Sequence, residues 1–339
     1  MKLMALALFV VSTLPFSAYG ATVEVDPYFQ GMTKFEVVVL PSQLKMVGLG
    51  LLKAGDQVAI QVDAANSVYN DITACIVTEA EARTYTSRSP CRGQVKGKTP
   101  IRIRDQASSD AAHYLVLDNT YAAVIKKPIS GTIVTRKALS PEERQQIKIW
   151  FQGVQSNMEA TYEKSDFNVF VKPCGHSNAF SNNRTADITI CSEFIHNMAM
   201  QNNNGAMVAV LLHEYGHSLL NNWGEPGSSE EDMADQFATV LLLREGDSGR
   251  RLLQEWITFW QRRDSQAEAQ HQIRRGDTHT LSVQRARNIQ NAMNFPEDIV
   301  RRWNKTLYRN MTRNGLANVI ARPSKADDVE LAKEALRLK

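Results

Sequence analysis

The feature that most constrains this chain is His213-Glu214-Tyr215-Gly216-His217, which closes the apolar run Gly205-Ala-Met-Val-Ala-Val-Leu-Leu212. Such a run reads as a helix, and on a helix residues four apart share one face. Both imidazoles then reach one metal ion, and the carboxylate between them lies close enough to act on a water there. The rest of the fold has to deliver a third donor to that face. Catalytic zinc takes three protein ligands and keeps its fourth position open.

The candidate third donor stands downstream, in Ser229-Glu-Glu-Asp-Met-Ala-Asp-Gln-Phe-Ala238. Ser229 reads as a helix start, with Asp232 closing a capping box. Glu231 and Asp235 are four apart on this second helix and face the same way. Glu231 is the expected ligand. Asp235 is expected to accept a hydrogen bond from a ligating histidine and so fix its tautomer. Glu230 and Asp232 read as acids that complement the helix dipole. The expected chemistry is that of a zinc metallopeptidase with one zinc per chain, a peptide or protein substrate, and Glu214 as general base. His279 and Tyr215 are the candidate donors to the developing oxyanion. His113, His176, His196 and His271 read as surface or polar-core residues.

The other bounds are broader. A chain of 339 residues suggests about two domains. An apolar share of 43% supplies ample core, and a net charge of +3 argues for neither nucleic acid nor an anionic membrane. Residues 1–20 read as a signal peptide: Lys2, an apolar stretch from Leu3 to Leu14, then Ala18-Tyr19-Gly20. No later stretch approaches 18 apolar residues, so the mature chain is expected to lack a membrane span. It is expected to be exported, to the periplasm or the exterior. In such a compartment four cysteines favour two disulfides. Local pairing, Cys75 with Cys91 and Cys174 with Cys191, is the expectation among three possibilities.

The fold class expected is α+β. An N-terminal β-sandwich domain (21–136) is followed by a mostly helical, zincin-like domain with a small sheet (137–322) and a tail (323–339). Strand candidates stand at 35–40, 57–62, 71–77, 100–104 and 113–118; the last four alternate, and turn residues separate them. Ser140-Pro141-Glu142-Glu143 starts a helix. Strands are expected at 167–171 and 187–191, and amphipathic helices at 252–263 and 281–293.

The motif helix followed by Glu231-Asp-Met-Ala234-Asp235 resembles the gluzincin pattern of the CAAX prenyl protease and heat-shock membrane protease family. There the glutamate is the third ligand and the aspartate supports a ligating histidine. Asn178-Ala179-Phe180 is similar to the segment leading into the edge strand along which those proteases bind substrate. Thr278-His279, with Arg285 six residues after the histidine, is similar to their Thr-His-Pro…Arg segment, and this favours His279 as the oxyanion donor. Closer still, residues 140–290 resemble a family of exported bacterial metallopeptidases of unknown function. The gap from His217 to Glu231 is shorter than in the membrane proteases, and Thr280 replaces their proline. These departures leave the substrate class open. The competing reading is a non-catalytic binding protein on a peptidase fold, with zinc as a structural element. Retention of Glu214 speaks for the enzyme, because a structural site needs no base there.

Overall fold

Alternation of apolar and polar residues organises the first part of the chain. A computed structural model describes residues 21–64, 71–227, 230–262, 282–321 and 326–339. The expected signal peptide, 1–20, lies outside them. Two compact units result: Pro27–Ser140 with Pro173–Ser177, and Met1–Asp26 with Pro141–Lys172 and Asn178–Lys339.

The first unit holds strands β2 (Tyr28–Val39), β3 (Leu44–Leu52), β4 (Gln57–Ala64), β5 (Asp71–Thr78), β6 (Arg92–Lys98), β7 (Ile101–Gln106), β8 (Ala111–Asp118) and β9 (Lys127–Ala138). They form two antiparallel four-stranded sheets, ordered β2-β9-β4-β7 and β3-β8-β5-β6. In β4, Val58, Ile60 and Val62 are buried while Gln57 and Gln61 are exposed, as a period of two requires. Those three join Ile72, Ala74 and Ile76 of β5, Leu115 and Leu117 of β8 and Ile133 of β9 in one core drawn from both sheets. Each large side chain buried there contributes about 1.5–3 kcal/mol. β5 is buried on both faces. Its other face, Cys75 and Val77, meets Val116, Tyr85 and Cys91 beside the short helix α1 (Glu79–Ala82). Thr78 and Glu81 close a capping box at its start.

The second unit carries a small sheet of β1 (Val23–Val25), β10 (Val169–Lys172), β11 (Ala179–Ser181) and β12 (Ile188–Cys191), in the order β1-β10-β12-β11. The pairs β1–β10 and β10–β12 are parallel; β11 runs antiparallel at the edge. Val169, Val171, Ile188 and Ile190 are buried, the near-continuous apolar character that parallel strands show. The helices are α2 (Pro141–Thr161), α3 (Ser192–Met200), α4 (Asn204–Trp223), α5 (Glu231–Arg244), α6 (Gly246–Gln261), α7 (Ser282–Asn294), α8 (Pro296–Arg309), α9 (Arg313–Ala321) and α10 (Ala326–Arg337). None of the described helices is long and apolar enough to cross a membrane.

Three details differ from the sequence reading. Val23–Val25 pairs with β10 in the helical unit, because both valines are buried there against a parallel partner. The second helix begins at Glu231, with Glu230 in the N-cap position and no side-chain cap bond. Ser229, the expected cap, lies outside the described residues. The tail, read from the sequence as a solvated helix or partly disordered, is a helix, α10, that buries Ala332 and Ala335.

Candidate metal centre

The motif lies on α4. Asn203 caps this helix by accepting from the Ala206 amide at 2.9 Å, and Gly224, at φ 72°, ends it. Both sides of α4 are buried, so its polar residues must find partners inside the protein. The middle glycine of the motif governs how close α5 can come. A Cβ on Gly216 would stand 3.1 Å from Phe237 Cδ1 and 3.2 Å from Ala234 Cα. A larger residue would push α5 and its acids away from the histidines.

At that separation three donors converge. The Nε2 atoms of His213 and His217 are 3.2 Å apart. Glu231 places Oε2 at 3.2 Å from His213 Nε2 and Oε1 at 3.5 Å from His217 Nε2. Two imidazole nitrogens and a carboxylate oxygen within 4.8 Å of one another form a set able to hold a divalent transition metal. Glu230 and Asp232 are not in this set; Asp232 lines a cavity of about 420 Å³ with Gln236, Asn288 and Phe295.

Asp235, one turn beyond Glu231, lies 2.8 Å from His213 Nδ1. That bond puts a proton on Nδ1 and leaves the Nε2 lone pair for a metal. Arg285, from α7, holds Asp235 with two nitrogens, Nε to Oδ2 at 2.7 Å and one terminal nitrogen to Oδ1 at 2.6 Å. Its other terminal nitrogen is 3.1 Å from Glu231 Oε2. The guanidinium plane lies over the Trp260 ring, 4.1 Å from its centroid. One buried fork therefore ties together the two acids on successive turns of α5.

The electrostatics follow from burial and partners. Burial disfavours the charged His213 ring, but hydrogen bonds to Asp235 and Glu231 outweigh it and raise its pKa to about 9. Burial also works against the Glu231 carboxylate; hydrogen bonds from both histidines prevail and lower its pKa. Glu214 is different. Burial raises its pKa, opposed by the two histidines. Among the described residues no hydrogen bond or ion pair engages its carboxylate.

Tyr215 is not an oxyanion donor. Its side chain is fully buried and its hydroxyl donates to Gln155 Oε1 at 2.6 Å. Gln155 in turn donates to the carbonyls of Ser165 and Phe167, fixing α2 and the approach to β10. His279 lies outside the described residues. Asn178, Ala179 and Phe180 are on or beside β11, and Phe180 is exposed. The Asn178 carbonyl accepts from the Cys191 amide, and the Asn182 amide donates to Asp187. Alternation in an antiparallel pair therefore turns the backbone groups of Ala179 and Ser181 away from β12. Cys75 and Cys91 are joined, with a Cα–Cα distance of 5.9 Å. Cys174 and Cys191 are each disulfide-bonded as well.

Trp260, Gln155 and Ser218 were not singled out from the sequence. For Ser218 a signal was available: a small polar residue beside the motif in an apolar helix must have a buried partner.

Residues 136–293, just under half of the chain, match the model of a family described as "Putative metallopeptidase". No curated protein matches the chain. Among solved structures, PliG from Aeromonas hydrophila, a periplasmic inhibitor of g-type lysozyme, is similar at 9% identity. It covers 34% of this chain and 96% of its own, with a TM-score of 0.24. FLHE is similar at 8% identity over 33% of this chain and 96% of its own, with a TM-score of 0.23. A functionally unknown conserved protein from Bacillus anthracis str. Ames is 11% identical over 67% of this chain and 65% of its own, with a TM-score of 0.18.

Proposed function

We propose that this protein is an exported zinc metallopeptidase of the gluzincin type. The observation that carries the reading is the convergence of His213, His217 and Glu231 beside a buried glutamate whose carboxylate no hydrogen bond or ion pair engages among the described residues. Those three residues would hold the zinc, and His213 and His217 would do so through Nε2. Bound zinc supplies a Lewis acid that makes water acidic near neutral pH and polarises a carbonyl. Glu214 takes the proton of the attacking water and returns it to the leaving amine. Its raised pKa suits that exchange, since a carboxyl that holds its proton more readily is a better shuttle at neutral pH.

Asp235 orients His213, and Arg285 holds Asp235 while withdrawing charge from Glu231. The substrate peptide pairs along β11, where Ala179 and Ser181 offer outward backbone groups and Phe180 an exposed ring. His279 takes the oxyanion role on the family resemblance. The two antiparallel sheets form a β-sandwich domain that supports the enzyme or binds a partner. Two disulfides suit an oxidising compartment, in keeping with export after loss of residues 1–20.

The test is metal analysis together with digestion of a broad peptide library, wild type against Glu214→Gln. The expected result is about one zinc per chain in both and a fall in cleavage rate of about a thousand-fold or more in the variant. A wild type that binds no metal after zinc titration at neutral pH refutes the site. Zinc bound without cleavage of any peptide points to the non-catalytic binding protein.

A further inference from the structure

We propose that Ser218 is a positioning residue for peptide substrates, tying the edge strand β11 to the motif helix one residue beyond His217. The proposal rests on the peptide-hydrolysis reading above. The Ser218 side chain is fully buried. A serine in mid-helix commonly bonds the carbonyl four residues back on its own helix. Ser218 instead reaches out of α4 and donates to the Ala186 carbonyl at 2.7 Å. Its Oγ is also 2.8 Å from Ser181 Oγ.

A serine hydroxyl has one proton. With the Ser218 proton on Ala186, the proton in the second bond comes from Ser181. Ser218 is thus an acceptor from the last residue of β11 and a donor to the loop that follows it. Asn221, three residues further along α4, donates to the Asn183 carbonyl at 3.2 Å. Successive positions on one face of α4 therefore hold residues 181, 183 and 186, the tip of the β11–β12 hairpin. Ala186 stands at φ 60°, a conformation costly for a residue with a Cβ, and the carbonyl Ser218 holds is that residue's own.

The same helix carries Glu214 and His217. A peptide paired to the outward groups of Ala179 and Ser181 takes its position from β11, whereas the base takes its position from α4. The Ser181–Ser218 bond joins the two frames directly. A misplacement of about 1 Å between reacting groups costs about a hundred-fold in rate, so a short hydrogen bond at this junction has kinetic value that packing alone does not supply.

The experiment compares wild type, Ser218→Ala, Ser181→Ala and the double variant. A fluorogenic peptide that the wild type cleaves gives KM and kcat, and chelator competition gives zinc affinity. Ser218→Ala should lower kcat about tenfold, with KM little changed and zinc affinity unchanged. The double variant should be no worse than Ser218→Ala, since the Ser181–Ser218 bond is already lost in that variant. Amide exchange supplies a readout independent of cleavage: the Asn182 and Ala186 amides should exchange about tenfold faster in Ser218→Ala, with Leu219 and Leu220 unaffected. A wild-type kcat in Ser218→Ala, or additive losses in the double variant, overturns the proposal. If no peptide is cleaved even by the wild type, the hydrolysis reading fails, and the exchange data decide the tie alone. Faster exchange then supports it and unchanged exchange overturns it.

Discussion

The two units treat buried charge in opposite ways. The β unit builds its core from valine, isoleucine, leucine and alanine contributed by both sheets. Among its described residues Lys127 is the buried cation, matched by Asp71 at 3.0 Å and by the Tyr121 ring, while the buried Asp56 and Asp118 accept from the Lys53 and Thr120 amides. The helical unit gathers His213, Glu214, Asp235 and Arg285 into its interior, with His217 and Glu231 beside them. Burying a paired charge in place of a well-packed apolar group commonly costs stability, so the knot between α4, α5 and α7 is not explained by stability. It is explained by the fixed donor geometry it produces. Where a protein spends stability on charge, chemistry is the first hypothesis.

That contrast is most directly broken at Arg285. Arg285→Met leaves the Asp235 and Glu231 carboxylates without their cation and should destabilise the helical unit by about 3–5 kcal/mol. Amide exchange in α5 measures it. An exchange profile equal to that of the wild type would mean the charges are hydrated and the contrast is false. In the β unit the corresponding change is covalent. Replacing Cys75 and Cys91 by alanine opens a loop of 16 residues and should cost about 3 kcal/mol, read from exchange in β5, with zinc affinity unaltered. Loss of zinc in that variant would show that the units are not energetically separate.

Asp235→Asn tests the support of the histidine alone. It should weaken zinc binding by about ten- to a hundred-fold, as removal of such a partner does. Unchanged affinity would leave His213 oriented by packing only. The smallest effect is in pH. His213 has its folded pKa raised to about 9 from an ordinary value of about 6.5. Its contribution to the stability of the metal-free protein is fully present below about 6.5 and is lost as pH rises through about 9. With chelator present, amide protection in α4, taken relative to intrinsic exchange at each pH, should therefore fall between those values, while protection in β5 changes less. Protection in α4 that rises across that window would reverse the sign assigned to His213.

Much of the site could be read from the chain because helical spacing is local. His213 and His217, like Glu231 and Asp235, are four residues apart, and each pair fixes its own face. The same rule sets the candidate Tyr215 apart from the histidines. It lies two residues from each histidine, about 200° around the helix, and so points away from the metal face towards Gln155. What spacing does not reveal is how helices approach each other. The stacking of Trp260 on Arg285, and the reach of Ser218 to Ala186, depend on tertiary distances set by contacts such as Gly216 against Ala234. In the β unit alternation marked β4, β5, β7 and β8. It did not mark β1, whose partner β10 lies 146 residues further along the chain, at Val169 opposite Val23.

That long pairing has a consequence for how the molecule is made and cut. The helical unit is discontinuous: its sheet takes a strand from the very start of the described chain, and strands β2 to β9 of the β unit are spliced between β1 and α2. During synthesis β1 emerges first and waits for β10, so the small sheet closes only after the inserted unit has been produced. A fragment beginning at Lys137 would carry every residue of the metal centre and yet expose the outer edge of β10, an unpaired parallel edge prone to self-association. A fragment in which residues 21–26 are joined by a short linker to Pro141 keeps that edge covered.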